Sequence, residues 1–123
     1  MLTFTAPAVL SFRPEAEEAK AKRESMMSAY LVGQVTIHDH AEYEKYLAGV
    51  MDTLAPFDGR PLVAADEVQV LEGTWAATRT VVVEFPSIDH AKRWYESPKY
   101  KSIVQHRFKA AASNLVLAEG FKG

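Results

Sequence analysis

The chain has 123 residues, of which 48% are hydrophobic and 24% charged, and its formal net charge is −2. This length and composition predict a single globular domain, and the charge offers no basic surface for nucleic acid. No stretch reaches the ~20 apolar residues that a membrane-spanning helix needs. The chain has no cysteine, which excludes disulfides and thiolate chemistry.

Residues 1–27 differ from the rest of the chain. Their apolar residues have no clear period, and the helix-forming segment that Pro14 opens carries only alanines as apolar side chains. We therefore expect 1–27 to form an arm, either a peripheral helix or poorly ordered, and 28–123 to form the domain. Met26-Met27 leaves a second interpretation open, in which the natural protein starts there. The arm lacks a basic leader and a cleavage pattern, so a cytoplasmic location is expected.

The first strand and the first helix are predicted from two different periodicities. From Ala29 to Ile37 alternate residues share a face, which is typical of a strand. Asp39 and Glu42 then form a capping-box pattern that begins a helix. Apolar residues recur along this helix at helical spacing, so it is expected to cover the sheet until Pro56 ends it.

The remaining elements follow in the order strand, strand, helix, helix and strand. Pro86 ends the third strand because it lacks an N–H, and Ser87 is a good N-cap for the helix after it. Pro98 begins a further helix, on which Tyr100, Ile103, Val104 and Phe108 are expected to point inward. The predicted ranges are Leu62–Leu71, Thr78–Phe85, a helix from Ser87, a helix from Pro98 to about Ala111, and Leu115–Ala118.

The order β-α-β-β-α-β is the ferredoxin-like split βαβ pattern. It predicts an α+β fold in which helices cover one face of a four-stranded antiparallel sheet. The second face, which we call the open face, is semi-polar yet too apolar for water, and pairing it with a copy of itself predicts a symmetric homodimer. The residues of the open face are Tyr30, Val32, Gln34, Thr36, Thr80, Val82 and Glu84.

From Ala29 to Phe121 the chain resembles the domain of unknown function 1330 family, within the dimeric α/β-barrel superfamily. The most specific match runs from Glu84-Phe85-Pro86-Ser87 to Trp94-Tyr95-Glu96-Ser97-Pro98-Lys99-Tyr100. The resemblance implies a ferredoxin-like protomer whose sheet pairs with a second one into a barrel, and it implies no established reaction. Superfamily relatives include cofactor-independent monooxygenases and haem-degrading enzymes, but a shared fold is weak evidence for chemistry. The chain departs from the family in its second strand, where Ala64-Ala65-Asp66 replaces the usual Arg-Gly-Gly.

Glu84 is the candidate catalytic residue. A carboxylate beside valines on a central strand is expected to be desolvated, which raises its pKa and suits it to acid–base chemistry. The alternative is a structural carboxylate that a cation neutralises or that accepts a hydrogen bond from Tyr30 in a dimer. The candidate cations are Arg60, Arg79 and Arg107.

An aromatic set around the Ser97-Pro98 break is the candidate lining of an apolar ligand pocket. The same aromatic residues also fit a helical core, with Ser97 as an N-cap, so both interpretations stay open. Arg107 is placed to clamp a carboxylate, with a solvated surface position as the alternative. The candidate ligand-binding residues are Tyr30, Arg60, Trp94, Tyr95, Ser97, Tyr100 and Arg107.

No metal or cofactor is predicted. His38-Asp39-His40 offers metal-ligand types, but the sequence shows no third ligand at a characteristic spacing. His106, if it lines the pocket, has the chemistry of a haem ligand or of a base. Gly-rich phosphate loops and nucleophile elbows are missing from the sequence.

Three functions of different classes follow from these features. The first is a module that binds a small, partly aromatic or acidic molecule in a pocket. The second is a cofactor-independent monooxygenase or isomerase with Glu84 as acid or base and Tyr30 or Tyr100 as proton relay. The third is a structural dimer without a ligand site. The sequence alone leaves it undecided whether the protein is an enzyme.

Overall fold

The computed structural model describes residues 16–19 and 27–121. Residues 16–19 are helical and exposed, and they fall within the helix predicted after Pro14. The rest of the predicted arm lies outside the described residues.

The described chain forms one antiparallel sheet covered on one side by helices, which confirms the predicted ferredoxin-like α+β class. Its strand order is β2-β3-β1-β4, and all three strand pairs are antiparallel. The sheet is open, with β2 and β4 at its two edges. The elements are β1 (Ala29–Ile37), α1 (His40–Leu54), a 3-10 helix (Ala55–Phe57), β2 (Arg60–Ala65), β3 (Arg79–Phe85), α2 (Ile88–Glu96), α3 (Pro98–Ala110) and β4 (Ala111–Glu119).

The three helices begin at side-chain caps that the sequence predicted. Asp39 accepts a hydrogen bond from the Glu42 N–H at 3.1 Å, and Ser87 accepts one from the His90 N–H at 3.1 Å. Each cap satisfies an N–H that has no partner within its helix. Among the described residues, no helix has both the length and the apolar character needed to cross a membrane.

The predicted bounds of the second and last strands are wrong. β2 ends at Ala65 because β3 starts at Arg79, so the ladder between them stops at the pair Ala65–Thr80. The apolar residues at 66–71 therefore have no strand partner within the described structure, and all three, Val68, Val70 and Leu71, are exposed. In contrast, β4 is longer than predicted because β1 supplies a partner for all nine of its residues, from Ala111 to Glu119. Pairing with β1 outweighs the weak strand preference of the alanines at its start.

The core lies between the helices and the face of the sheet that carries Leu31, Val35 and Val83. The opposite residues of β1 and β3 lie on the open face, as predicted from alternation. The expectation that Phe108 points inward is wrong, because α3 buries Arg107 instead and leaves Phe108 exposed.

Candidate ligand-binding cavity

A cavity of about 170 Å³ lies between the sheet and the helices. Its inner surface is formed by apolar residues of β1 and β3 and by side chains of all three helices. Met51 of α1 and Val63 of β2 line the cavity and are also exposed, so the cavity opens between α1 and the edge strand β2.

Four aromatic rings line one side of this cavity. Tyr43 and Tyr46 are three residues apart on α1, so they share a helical face, and their ring centroids are 5.6 Å apart. Trp94 lies in the last turn of α2 and Tyr100 in the first turn of α3, and their ring centroids are 4.1 Å apart. The break at Ser97 brings these two rings together, because its hydroxyl donates to the Trp94 carbonyl at 2.7 Å and accepts from the Tyr100 N–H at 3.3 Å.

Most polar atoms of these four aromatic side chains have hydrogen-bond partners. Trp94 Nε1 donates to Thr53 Oγ1 at 3.0 Å, and Thr53 donates to the Val50 carbonyl at 2.6 Å. The hydroxyls of Tyr46 and Tyr100 are 3.0 Å apart and share one hydrogen bond. Burial, followed by the neighbouring Tyr100, raises the pKa of Tyr46, so this hydroxyl stays neutral at physiological pH.

Arg107 lines the same cavity and is 4% exposed, so the alternative of a solvated surface position is wrong. Its Cζ is 5.6 Å from the centroid of the Tyr46 ring and 5.3 Å from that of the Phe108 ring. Nη2 lies 3.4 Å from the Tyr100 hydroxyl, and Nε has no hydrogen-bond partner among the described residues.

None of the ion pairs among the described residues includes Arg107. A guanidinium stays protonated in proteins, and a buried charge without a counter-ion is costly. The two aromatic rings offset part of that cost through cation–π contacts. The cavity therefore contains a buried positive charge for which the described residues supply no anion.

A second guanidinium, that of Arg79, also lines the cavity. Its Cζ is 6.0 Å from the centroid of the Tyr43 ring, and its Nη1 is 2.6 Å from Asp66 Oδ1. From the sequence, Arg79 is a candidate only as a partner of Glu84. The alternation that directs Val81 and Val83 toward the helices directs Arg79 there as well, so this signal was available in the sequence.

Glu84 does not line the cavity and lies on the open face. In the strand pairing, Glu84 lies directly opposite Tyr30 of β1 and Arg60 of β2. Arg60 Nη2 donates to Glu84 Oε1 at 2.5 Å, and the Tyr30 hydroxyl donates to Oε2 at 3.0 Å. These two hydrogen bonds, that of Arg60 first, lower the pKa of Glu84. The expected rise is wrong because two donors stabilise the charged form more than partial burial destabilises it.

The predicted site residues thus fall into separate places. Tyr95 does not line the cavity and is exposed, although its ring lies 5.6 Å from that of Tyr100. Ser97 acts as the cap described above. The cavity holds Trp94, Tyr100 and Arg107, and the open face holds Tyr30, Arg60 and Glu84.

The histidines lie away from the cavity. His106 Nδ1 is 2.7 Å from Glu42 Oε2, across the contact between α3 and α1. This hydrogen bond, followed by that of Lys45, lowers the pKa of Glu42. His38 and His40 are exposed. The described residues contain no group of three or more side chains arranged to hold a metal ion.

Solved structures with the same fold cover most of this chain. A protein of unknown function from Rhodopseudomonas palustris is 16% identical with a TM-score of 0.67, covering 89% of this chain and 94% of that one. SnoaB from Streptomyces nogalater, a cofactor-independent oxygenase, is 18% identical with a TM-score of 0.51, covering 79% and 96%. A dimeric ferredoxin-like protein of unknown function from Thermobifida fusca is 11% identical with a TM-score of 0.53, covering 76% and 91%.

At these identities the similarity establishes the fold and nothing about chemistry. Comparison with curated proteins gives no significant match. The model of one family, described as a domain of unknown function (DUF1330), matches residues 28–121. This match covers the whole described domain except its first residue, and the chain therefore belongs to the DUF1330 family.

Proposed function

We propose that this protein binds a small anion with a single aromatic ring in the cavity between the sheet and the helices. The observation that carries the proposal is Arg107, a buried guanidinium that faces an apolar cavity and has no carboxylate partner among the described residues. A convergent polar group in an apolar pocket is the usual arrangement of a small-molecule site.

The size of the cavity limits the ligand. An apolar cavity of about 150 Å³ is large enough to bind benzene. The volume here, about 170 Å³, therefore suits one ring with small substituents. The rings of Tyr43, Tyr46 and Trp94 offer flat surfaces for such a molecule.

The charge of the cavity favours an anion. The Arg107 guanidinium is already desolvated and has no counter-ion among the described residues. A carboxylate of the ligand would therefore form a charge-assisted hydrogen bond with it in a poorly hydrated site. The free Nε of Arg107 is a donor that such a carboxylate can use. A neutral ligand of the same shape could accept that hydrogen bond, but it would leave the buried guanidinium without a counter-ion.

The geometry does not favour the alternative of an oxygenase or isomerase with Glu84 as its base. Glu84 lies on the other face of the sheet and has a lowered pKa. Among the described residues, those that line the cavity include no carboxylate and no imidazole. The similarity to the oxygenase SnoaB, at 18% identity, supports a shared fold alone.

We also propose that two copies of the chain pair through the open face. Val32 is the direct neighbour of Val82 on β3 and of Val116 on β4, so three valines form an apolar row across three strands. Val116 is 60% exposed in the single chain. The dimeric neighbour from Thermobifida fusca supports a dimer, without indicating which face pairs. Pairing two such sheets would form the barrel that the family resemblance implies.

The ligand proposal is tested with benzoate, and its neutral analogue benzamide is the control ligand. Thermal unfolding is followed for the wild type, for Arg107→Met and for Arg93→Met, since Arg93 is an exposed arginine of α2 that pairs with Asp89. Benzoate at ten times its Kd should stabilise the wild type and Arg93→Met by about 1.4 kcal/mol. It should stabilise Arg107→Met far less, and benzamide should have little effect on any of them.

Three results would contradict the proposal. One is equal stabilisation of Arg107→Met and the wild type by benzoate. The second is a benzamide effect as large as that of benzoate. The third is that neither benzoate nor phenylacetate stabilises the wild type at millimolar concentration.

A further inference from the structure

The Asp66–Arg79 ion pair lies at the cavity and has very unequal burial. The Arg79 side chain is 17% exposed and the Asp66 side chain 71% exposed, with Nη1 and Oδ1 2.6 Å apart. The Arg79 guanidinium therefore lies in the wall of the cavity, whereas the Asp66 carboxylate contacts Arg79 from the solvent side.

We propose that Arg79 is a second anion-binding group of this cavity. Asp66 pairs with Arg79 until an anionic group of the ligand displaces it. This inference rests on the proposed function and adds that the ligand carries two anionic groups on one ring, as a benzene dicarboxylate does.

The two partners differ in how firmly the fold holds them. Arg79 lies on β3, which is paired with β1 on one side and β2 on the other, and it is the direct neighbour of Val35. Asp66 follows the last paired residue of β2, and residues 66–78 belong to no strand of the described structure. An exchange of anions would therefore move Asp66 and leave Arg79 in place.

An ion pair with one exposed partner is weak, because water solvates the free carboxylate well and the pair gains little over separated charges. A carboxylate that the ligand brings into the cavity interacts with Arg79 in a drier place, where the attraction is stronger. Asp66 thus acts as a competitor that a ligand can displace, and it neutralises the second cation while the cavity has no ligand.

The positions of the two cations indicate the ligand class. Arg79 lies 6.0 Å from the centroid of the Tyr43 ring, and Arg107 lies 5.6 Å from that of the Tyr46 ring. These two rings are themselves 5.6 Å apart. The positive charges of Arg79 and Arg107 both act on the Tyr43 hydroxyl, where they oppose the rise in pKa that burial causes. Two cations around one pair of tyrosines match a ring with two anionic substituents better than a ring with one.

Calorimetric titration of the full-length protein with benzoate and with the three benzene dicarboxylates tests the inference. The variants are Asp66→Asn, Arg79→Gln, Arg79→Lys and Arg107→Met. The matched control is Glu72→Gln, which removes an equal charge from an exposed residue of the same connecting segment.

Asp66→Asn should tighten binding of at least one dicarboxylate about two- to fivefold, the range expected for an exposed ion pair. Glu72→Gln should leave that affinity unchanged. Arg79→Gln should abolish the preference for the dicarboxylate over benzoate, and Arg79→Lys should keep part of it. Arg107→Met should weaken both ligands.

Different outcomes would overturn the role of the Asp66–Arg79 pair and the proposed binding of an anion at Arg107. If benzoate binds the wild type but not Arg107→Met, while Asp66→Asn and Glu72→Gln have equal effects, only the role of the Asp66–Arg79 pair is overturned. An Arg79→Gln variant that folds and keeps the wild-type preference also overturns it. If no ligand binds the wild type, or if Arg107→Met binds as the wild type does, both proposals are overturned.

Discussion

Arg60 and Glu84 face each other on adjacent strands, and their side chains form a 2.5 Å ion pair on the sheet face opposite the cavity. The Tyr30 hydroxyl donates to the second oxygen of the same carboxylate. Both carboxylate oxygens of Glu84 therefore have donors from the same chain.

The first prediction is that Glu84→Gln lowers the stability of the protein at pH 7, because it removes the charge that Arg60 and Tyr30 stabilise. The effect should be modest, since the Arg60 side chain is largely exposed and water can solvate it. Urea unfolding of the variant and the wild type at pH 7 measures it. Glu96→Gln is the control, because Glu96 and its partner Lys101 are both exposed.

The pH dependence of this difference follows from the lowered pKa of Glu84. A carboxyl group with a folded-state pKa below its ordinary value of 4.5 stabilises the protein at pH values above 4.5. That contribution is lost as the pH falls through the lower, folded-state pKa. The gap between the wild type and Glu84→Gln should therefore close on acidification. A Glu84→Gln variant as stable as the wild type at pH 7 would instead favour a desolvated acid.

The second prediction concerns neighbouring aromatic residues with different burial. Trp94 is 2% exposed and its Nε1 is hydrogen-bonded to Thr53, whereas Tyr95 is 40% exposed. Trp94→Ala should cost about 3–5 kcal/mol of unfolding free energy. Tyr95→Ala should cost clearly less. Chemical denaturation measures both, and a cost below about 1 kcal/mol for Trp94→Ala would show that the ring is not part of the core.

The third prediction is that Arg107→Met folds and is as stable as the wild type or more stable. No carboxylate among the described residues loses a partner in this variant, and an apolar side chain removes the cost of a buried charge. Thermal and urea unfolding without ligand test the prediction. A loss above about 2 kcal/mol would assign Arg107 a structural role, since it would exceed the usual value of a cation–π contact.

The fourth prediction concerns the open face. Val116→Lys should convert a dimer into a folded monomer, because a lysine there would be buried without a counter-ion when two sheets pair. Light scattering measures the mass, and circular dichroism checks the fold. Gln105→Lys, on the exposed side of α3, introduces the same charge and should remain dimeric. A wild-type protein that is a stable monomer at micromolar concentration would contradict the proposal.

Local chemistry determined much of this fold, and the sequence alone was sufficient to predict it. Asp39, Ser87 and Ser97 begin helices because each can satisfy an N–H a few residues ahead. Alternation assigned the residues of β1 and β3 to the correct faces, since successive side chains of a strand point to opposite sides. The order of the elements then indicated the ferredoxin-like topology, because few connections satisfy right-handed crossovers.

Only the tertiary structure decided how far the strands extend and which polar groups meet. β2 stops at Ala65 because its partner strand starts at Arg79, which no local signal in β2 reveals. Glu84 is neutralised by a residue 24 positions before it, and Arg107 is buried because α3 packs against the tyrosines of α1. Each of these outcomes depends on contacts between segments that are distant in the chain. Composition and periodicity describe only neighbours in sequence, so they do not determine the solvation of these charges.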